Sequence, residues 1–459
     1  RPVGVCEATG LRWLANGSAL AQAEGGPSDL LLEVEGLIPG ERASVRILPG
    51  RPLWPAQARA AVSIVTQPAP GRRLPPCPHF AACGGCSLQH IDYQEQLDHK
   101  REAVVTTLAP LNIAATLVEP VLPSPRQLRY RNKMEFTFGS DGSLGLHARG
   151  NWQEVIRLQD CLLPLPLIAD ARQVVAAWAG AESLPSYDKA THSGLLRHLS
   201  ARASEATSRL MLSLFVAPSD TAFPRLKESL PRLLNMLRDR IPGFASFYLF
   251  DDDSPGDAAH FTGRRLVWGE PSLEERVAGC RYQIFPETFF QVNTEQAERL
   301  CNAVLALGEP NARTCVFDLY CGVGTFSLPL ARHAAQVVGL ELVEGAVTAA
   351  RENAAGNGIG NVVFEAGDVR HALPALAQRQ GTPDLLLLDP PRSGAGSKVM
   401  RQIGRLHPQR VIYVSCQPRS LAADLGHLLP FGYRVEQVQP FDLFPQTTDV
   451  ETVVLLRAC

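Results

Sequence analysis

The alternation of apolar and helical stretches after residue 275 constrains the fold of this chain more than any other feature of its sequence. Helix-forming stretches such as GAVTAARENAAGN separate five short apolar runs, which are CVFDLY, VVGLEL, VVFEA, DLLLLD and RVIYVS. Strands that alternate with helices build a parallel sheet with helices on both faces. Two further runs, in LLPFGYRVEQVQPFDLF and VETVVLLRA, add closing strands. Residues 276–459 are therefore predicted to form an α/β domain around a doubly wound, Rossmann-like sheet.

The chain before residue 276 divides into three segments. Residues 1–68 carry short alternating runs around the turn signals Asn16-Gly17 and Pro39-Gly40, a pattern that suits an OB-fold-like β-barrel, which is a frequent nucleic-acid platform. An accessory barrel without a ligand is the alternative. Residues 69–95 form a proline-rich linker with a cysteine cluster, and residues 96–275 mix strands and helices as an α+β domain does. Within that last segment, DDDSPGD is expected to be a solvent-exposed loop.

Composition excludes several classes of protein. The chain has no apolar run of about eighteen residues, so we expect no membrane span. The stretch RPVGVCEATGLRW lacks the apolar region of a secretory signal, and eleven cysteines without such a signal indicate a reducing compartment. We therefore expect a monomeric cytoplasmic protein. Because the formal net charge is -2, a local basic patch would have to hold any nucleic acid.

A glycine-rich turn follows the first strand of the predicted sheet. In VFDLYCGVGTFSLPLARH, Gly322 and Gly324 would let the backbone approach a ligand closely. Ser327 occupies the third glycine position of the nicotinamide-binding fingerprint, which argues against a nicotinamide-dependent oxidoreductase. Glu341 ends the second strand, where a carboxylate can bind ribose hydroxyls, and Asp368 follows the third, where an adenine edge would lie. Taken alone, the turn also fits an ordinary Rossmann-like turn without this ligand.

Two later strands end in residues suited to catalysis. LLLLDPPRSGAG places Asp389 at the end of a buried strand, and the two prolines that follow stop that strand. VIYVSCQPRSLAADL places Cys416 at the tip of the next strand, on the edge where open α/β sheets bind ligands. A cysteine inside a core strand is generally a small apolar residue, whereas one at a strand tip can act as a nucleophile. We predict that Cys416 is reactive.

Three cysteines lie close together in PPCPHFAACGGCSLQHIDY. Cys77, Cys83 and Cys86 have the spacing of metal ligands in a protein of a reducing compartment. Zinc and iron–sulfur clusters both use thiolate ligands. The spacing therefore leaves both possibilities open.

Several motifs together resemble the RNA uridine C5-methyltransferase family, whose members use S-adenosylmethionine to make 5-methyluridine. The motifs cover nearly the whole chain, and they are RYRNKMEFTFG, ETFFQVNTEQAERL, DLYCGVGTFSLPLA, LDPPRSGAG, YVSCQPRSLAADL and FPQTTDVETVVLL. The cysteine cluster and the N-terminal β unit match the family as well. The resemblance implies a class I methyltransferase domain at residues 276–459 and a TRAM domain at residues 1–68.

The resemblance also implies the roles of individual residues. Cys416 would be the nucleophile that adds to C6 of the uracil, with Cys321 as a rival, and Glu451 would be the general base that removes the C5 proton. The pocket for S-adenosylmethionine and the target base would be lined by Gln291, Tyr320, Gly322, Thr325, Glu341, Asp368 and Asp389. A [4Fe-4S] cluster would be held by Cys77, Cys83, Cys86 and Cys161. The family has a histidine where this chain has Asp449. This departure bears on the pKa of Glu451 more than on its identity as the base.

RNA is the partner that the resemblance implies. The N-terminal barrel and the cysteine cluster are typical of ribosomal members, which favours 23S rRNA with a target of the uridine-1939 type. The alternatives are a uridine in the T-loop of transfer RNA, or a non-catalytic RNA-binding protein. A 5-methylcytosine transferase would have a second cysteine after Asp-Pro-Pro, where this chain has Arg392 and Ser393.

One basic run is a candidate for RNA contact. RQLRYRNK contains Tyr130 among four cations, Arg126, Arg129, Arg131 and Lys133. Such a run is a local basic patch, and it matches a motif of the family. The alternative is a solvated strand face.

Overall fold

Five strands close into a small barrel near the beginning of the chain. The computed structural model describes residues 4–25 and 30–459. The barrel strands pair in the order β1-β2-β3-β5-β4, and they are β1 Val5–Trp13, β2 Ala19–Ala23, β3 Leu31–Glu35, β4 Arg42–Leu48 and β5 Ala58–Gln67. Gly17 and Gly40 have positive φ in the turns before β2 and β4, as the turn signals predict. The barrel that the sequence predicts is confirmed.

The cysteine-bearing segment leads into a helix, α1 Tyr93–Leu108. The helix begins where the Asp92 carboxylate accepts a hydrogen bond from the backbone N–H of Gln94, which is an N-cap. Buried side chains on one face of α1 include Gln96 and Lys100. These two polar residues contact the end of the chain, as described below.

A mainly antiparallel sheet of seven strands forms the middle of the molecule. Its order is β12-β11-β10-β9-β6-β7-β8, with only β10 and β11 parallel among the described strands. The strands are β6 Lys133–Phe138, β7 Leu144–Ala148, β8 Asn151–Arg157, β9 Leu196–Ser204, β10 Arg209–Val216, β11 Phe244–Asp251 and β12 Thr262–Gly269. Two helices pack against the sheet through a shared apolar core, and they are α2 Pro166–Ala181 and α3 Phe223–Arg240. A hairpin of β13 Leu273–Val277 and β14 Cys280–Ile284 follows.

The loop after β11 is less exposed than its sequence suggests. Asp252 is buried, and its carboxylate lies 3.4 Å from the guanidinium of Arg197, which is also buried. The expectation of a solvent-exposed DDDSPGD loop is therefore wrong at Asp252. The charge of Arg197 is compensated inside the protein.

The last part of the chain forms the predicted doubly wound sheet. Its strands are β15 Cys315–Leu319, β16 Gln336–Glu341, β17 Val362–Ala366, β18 Leu385–Leu388, β19 Arg410–Ser415, β20 Tyr433–Phe441 and β21 Glu451–Ala458. The helices are α4 Thr294–Gly308, α5 Ser327–Ala331, α6 Glu344–Gly356, α7 Val369–Gln380, α8 Ser397–Leu406 and α9 Pro418–Leu428. The order is β17-β16-β15-β18-β19-β21-β20, in which β15 to β19 are parallel and the last two strands are antiparallel.

This strand order fixes the place of a ligand crevice. All four residues of β18 are buried, because helices cover both faces of the sheet. From β15 the chain runs outward through β16 and β17, then returns to β18 on the other side of β15. Open α/β sheets bind ligands at the carboxyl ends of the two strands where the order reverses. Here those strands are β15 and β18.

None of the helices within residues 4–25 and 30–459 combines the length and the apolar character that crossing a membrane requires.

Candidate active site

The glycine turn after β15 faces open space. Gly322 has φ +55, and a Cβ atom added there would meet no atom within 4 Å. Gly324 has φ +87 and is packed, since an added Cβ would lie 3.0 Å from the Phe364 ring. Tyr320 also has a positive φ of 64, and its N–H donates to the Leu340 carbonyl at 2.8 Å. The turn is thus sharply bent and firmly held, with one side free for a ligand.

Two acidic residues flank this turn. The Glu341 carboxylate accepts hydrogen bonds from the N–H groups of Gly322 at 3.1 Å and Val343 at 2.9 Å. Asp368 precedes α7 and pairs with the Arg370 guanidinium at 2.6 Å, and these hydrogen bonds lower the pKa of Asp368 to about 2. Burial, with a further contribution from Asp368, raises the pKa of Tyr320 to about 12. The structure therefore brings four of the predicted cofactor-binding residues together: Tyr320, Gly322, Glu341 and Asp368.

Cys416 lies directly after β19 and is partly buried. Burial, and then the carboxylates of Glu451 and Asp389, raise the pKa of the Cys416 thiol to about 12, whereas the Arg392 guanidinium lowers it. Arg392 therefore favours the thiolate form of Cys416. Its effect is outweighed, so the free protein holds a neutral thiol at neutral pH.

Glu451 is placed beside Cys416 by the sheet itself. In the antiparallel ladder of β19 and β21, Ser415 pairs with Thr452. Cys416 follows Ser415 and Glu451 precedes Thr452, so these two residues are neighbours at the end of the ladder. Glu451 is 2% exposed, and its Oε1 has no hydrogen-bond partner among the described residues. Burial, followed by Asp389 and Asp449, raises the pKa of Glu451 well above its usual value. A buried carboxyl group without a partner is suited to exchange a proton with a ligand.

Asp449, two residues before Glu451, contacts the loop after β18. Its carboxylate lies 3.0 Å from the Arg392 guanidinium, and both side chains are partly exposed. The carboxylate of Asp449 raises the pKa of Glu451, while Arg392 lowers it. The residue that replaces the family's histidine thus forms an ion pair at the mouth of the site.

Asp318 is a buried carboxyl group that the sequence analysis missed. It lies on β15, and its Oδ2 accepts a hydrogen bond from the Ser327 hydroxyl at 2.5 Å. Its Oδ1 has no partner among the described residues. Burial raises the pKa of Asp318 to about 7 and, with Asp318 nearby, that of Asp389 to about 7. The position of Asp318 before the glycine turn was visible in the sequence, but its burial was not.

Asp424 was missed as well, although it fixes the loop that carries Arg392. From α9 its carboxylate accepts hydrogen bonds from the N–H groups of Ala395 at 2.7 Å and Gly396 at 3.0 Å. The Tyr413 hydroxyl donates to the same carboxylate at 2.6 Å. An acidic residue in a helix gives no sequence signal for such a role.

Three other candidates lie at the margin of this site. Cys321 is buried, with its Sγ 2.8 Å from the position of an added Cβ on Gly339, so this thiol packs under the turn. The Thr325 carbonyl accepts a hydrogen bond from the Tyr282 hydroxyl at 3.2 Å. Gln291 is buried, and its carbonyl accepts from the Asn132 side chain at 2.9 Å. Cys321 is therefore a poor rival to Cys416 as nucleophile.

Comparisons with known proteins agree with this geometry. The tRNA (uracil-5-)-methyltransferase family matches residues 269–459. A protein of Caldanaerobacter subterraneus subsp. tengcongensis, described as an uncharacterized RNA methyltransferase, is 35% identical over 450 residues, which are 96% of each chain. This chain belongs to the RNA uracil-C5-methyltransferase family. An uncharacterized RNA methyltransferase of Gloeobacter violaceus is 36% identical over 96% of this chain and 94% of its own length.

A solved structure extends the likeness to this family over the whole chain. The tRNA (uracil-54, C5)-methyltransferase of Pyrococcus abyssi, crystallised with S-adenosyl-L-homocysteine, superposes with a TM-score of 0.76 at 25% identity. The match covers 98% of this chain and 99% of that one. The predicted family, α/β fold and enzyme class are confirmed. The oxidoreductase alternative and the non-catalytic alternative find no support in these comparisons.

The four cysteines predicted as metal ligands line one cavity in this family member. Cys77, Cys83, Cys86 and Cys161 line one small cavity together with apolar side chains such as Phe80. All four thiols are free. In the part of the chain that the structure describes, no three Cys, His, Asp or Glu side chains are spaced to hold a single metal ion.

The four cations of RQLRYRNK make internal contacts. Arg126 pairs with Glu205 and Glu295, Arg129 with Asp160, and Lys133 with Glu135. The Arg131 guanidinium lies 5.9 Å from the ring centroids of Tyr130 and Phe444. These contacts favour a structural role over the free basic patch that the sequence suggested.

Proposed function

We propose that this protein transfers a methyl group from S-adenosylmethionine to C5 of a uridine in 23S rRNA. The observation that carries the proposal is the ladder of β19 and β21, which sets Cys416 beside Glu451 at the carboxyl edge of the sheet. Asp389 directly follows the neighbouring strand β18, and its N–H donates to the Leu319 carbonyl just before the glycine turn at 3.3 Å. A nucleophile, a base and a cofactor crevice thus meet at one place.

The residues around the glycine turn fit the methyl donor. The open side of Gly322 leaves room for a ligand, and Glu341 at the end of β16 is placed for ribose hydroxyls. Tyr320 and Asp368 would border the adenine, and Thr325, Gln291 and Asp389 the methionine end and the target base. When bound, S-adenosylmethionine supplies an electrophilic methyl group.

Cys416 makes the uracil reactive. C5 of the neutral ring is a poor nucleophile, and addition of a thiolate to C6 turns C5 into the carbon of an enolate. Because the pKa of the thiol is raised, its proton must pass to a neighbouring group when the uracil binds. Asp389 is placed to take up this proton, which leaves Glu451 free to accept the C5 proton later. Arg392 would stabilise the negative charge as it develops. The uridine must be unstacked to reach this crevice, as in other enzymes that flip a base.

Glu451 completes the reaction. After methylation, C5 carries both the methyl group and a proton. Glu451 removes that proton, the C5–C6 double bond re-forms, and the Cys416 thiolate leaves. The carboxyl group fits this role because it is buried and its Oε1 has no partner among the described residues.

We propose a [4Fe-4S] cluster for the cysteine cavity. Four thiols line this cavity, which is a ligand set that zinc and iron–sulfur clusters share, and the resemblance to the family favours the iron–sulfur cluster. With all four positions filled by protein, the cluster would have no iron open to substrate. Its role would be to join residues 69–95 to the central sheet, where Cys83 already bridges to Ala148.

Transfer RNA is the second candidate substrate. The Pyrococcus abyssi enzyme acts on uracil 54 of tRNA, and its match to 98% of this chain includes the region of the barrel. The barrel, for which a TRAM-like role in RNA binding is proposed here, therefore does not by itself separate the two substrates. The choice of 23S rRNA rests on the resemblance to ribosomal members that combine the barrel with the cysteine cluster.

Methylation of defined transcripts tests the proposal. The anaerobically purified protein is incubated with S-adenosylmethionine and unmodified 23S rRNA or tRNA, and nuclease digestion with mass spectrometry locates 5-methyluridine. We expect the product in one 23S fragment, its loss in Cys416→Ala, and its retention in Cys321→Ala. Product only in the T-loop would establish the second candidate. Absence of product with both RNAs would refute the proposed function.

A further inference from the structure

Gln446 lies in the segment between β20 and β21, which leads to Glu451, and it contacts the cysteine-bearing segment. Its carbonyl oxygen accepts two hydrogen bonds, from the N–H of Ser87 at 2.9 Å and from the N–H of Leu88 at 3.0 Å. Gln446 is 6% exposed and has φ +70, a backbone conformation that residues other than glycine rarely adopt. A buried residue held in this conformation must be fixed by its surroundings.

The side chain of Gln446 makes a second connection. Its Oε1 pairs with Gln96 of α1, since Gln96 Nε2 donates to Gln446 Oε1 at 3.1 Å, and its Nε2 donates to the Gln127 carbonyl at 3.4 Å. Gln96 Oε1 in turn accepts from the backbone N–H of Gln446, also at 3.1 Å. Gln96 is 1% exposed and donates further to the Leu88 carbonyl at 3.1 Å. Both segments are therefore held through one buried pair of amides.

The two segments lead to two different functional groups. Ser87 directly follows Cys86, which lines the cysteine cavity. Gln446 lies in the segment between β20 and β21, and Glu451 is the first residue of β21. The residues just before Gln446 are held as well, because the Pro445 carbonyl accepts from the Tyr130 hydroxyl at 3.1 Å. The segment that leads to Glu451 is thus held by contacts made next to the cysteine site.

Resting on the proposed function, we propose that Gln446 is a positioning residue that sets the place of Glu451 and ties it to the segment after Cys86. The sheet pairs Glu451 with Phe441 of β20, and Gln446 would fix the segment that precedes Glu451, whereas Cys416 extends from β19 and precedes α9. Loosening Gln446 would displace the base and leave the nucleophile in place. Methylation of C5 would then proceed, while removal of the C5 proton would be slowed.

A displaced Glu451 would affect only the step in which the C5 proton is removed. Cys416 would still add to C6, and C5 would still become methylated. The C5–H bond would break slowly, because its proton has to reach Glu451 before the electron pair can restore the C5–C6 double bond and expel the thiolate. The methylated covalent adduct between Cys416 and RNA would accumulate.

Two substitutions and a matched control test this inference in the full-length protein. Gln446→Gly keeps a residue that tolerates φ +70 but removes the side-chain amide, and Gln96→Ala removes the partner from the other side. Gln94→Ala is the control, because Gln94 lies on the same helix, is exposed, and bonds through its side chain to Asp98. Three readouts are compared: kcat and KM, the fraction of enzyme linked covalently to RNA on a denaturing gel, and hydrogen exchange of the amides of residues 444–451.

We expect kcat to fall by about 10- to 100-fold in Gln446→Gly and Gln96→Ala, as a displaced catalytic group requires, with KM little changed. The adduct should accumulate and exchange at residues 444–451 should quicken, while Gln94→Ala matches the wild type. Wild-type kcat and exchange in both variants would overturn the inference, and so would loss of the adduct together with kcat. If the wild-type protein methylates neither RNA, the proposed function fails, and the exchange measurement still decides whether Gln446 orders the segment of Glu451.

Discussion

At the scale of single residues, Asp449 changes the pKa of Glu451, the proposed general base. Asp449 raises the pKa of Glu451, while Arg392, which it binds at 3.0 Å, lowers the pKa values of both Glu451 and Cys416. Replacing Asp449 by Asn removes the negative charge and releases Arg392 from its ion pair. Both changes lower the pKa of Glu451, so more of the carboxylate form is present at a given pH.

We therefore expect the acidic limb of the kcat profile of Asp449→Asn to move to lower pH, with kcat at mildly acidic pH several-fold above that of the wild type. Single-turnover rates across the pH range, with RNA saturating, measure this shift. Asp239→Asn, an exposed carboxylate on α3, removes the same charge away from the site and should leave the profile in place. A limb that moves to higher pH in Asp449→Asn would contradict the electrostatic role given to Asp449.

The sequence locates the proposed reacting residues better than it locates the groups that surround them. Cys416 and Glu451 stand at strand ends in recognisable motifs, and the ladder of β19 and β21 brings them together. Asp318 and Asp424 act through burial and through hydrogen bonds to other segments, and neither property is visible in a local pattern. The same reason explains Asp252, which looks like part of an acidic loop and instead neutralises a buried arginine.

At the scale of elements, α9 holds the loop after β18 through one carboxylate. The Asp424 side chain accepts hydrogen bonds from two backbone N–H groups of that loop and from the Tyr413 hydroxyl. Asp424→Ala leaves these donors without an acceptor, which should lower the free energy of unfolding by about 2–4 kcal/mol. It should also lower kcat, because Arg392 is on the loosened loop. Urea unfolding and methylation kinetics check the two effects.

Asp424→Asn is the matched variant for this prediction. Its amide oxygen can still accept one or two of the three hydrogen bonds, so its loss of stability should be smaller than that of Asp424→Ala. Equal losses in the two variants would show that the carboxylate acts through its charge and not through hydrogen bonding.

The elements themselves were predictable where they are buried. The runs that become β15 to β19 are continuous apolar stretches because helices cover both faces of the sheet. The edge strands β8 and β12 gave no such signal, since most of their residues are exposed and show no alternation. The parallel pairing of β10 with β11 is also set by tertiary packing and not by any local pattern.

At the scale of the whole molecule, the predicted cluster would join parts of the chain that are far apart in sequence. Three of its cysteines precede α1, and Cys161 lies between β8 and α2. We expect anaerobically purified protein to contain about four iron atoms and four sulfides per chain. Cys161→Ala should lose most of the iron, whereas Cys459→Ala, which removes an exposed thiol outside the cavity, should retain it. Zinc in place of iron in the wild-type protein would refute the cluster.

A buried ion pair provides the second connection of this kind. Lys100 of α1 lies 2.5 Å from the Asp442 carboxylate, which directly follows β20, and both side chains are 0% exposed. The Lys100 ammonium also donates to the Phe444 carbonyl at 3.0 Å, and the Tyr93 hydroxyl donates to Asp442 at 2.8 Å. The pair thus fixes the start of the segment that leads to Glu451.

Lys100→Met should be strongly destabilising, because it leaves a buried carboxylate without its cation. We expect a loss of about 3–5 kcal/mol in the free energy of unfolding, measured in urea. Adding Asp442→Asn removes the uncompensated charge while keeping an acceptor for the Tyr93 hydroxyl, so the double variant should be more stable than Lys100→Met alone. A double variant that is less stable than Lys100→Met would mean that the Asp442 carboxylate stabilises the fold without Lys100, through Tyr93 and its other contacts. Such a result would show that the ion pair does not hold α1 to the segment that leads to Glu451.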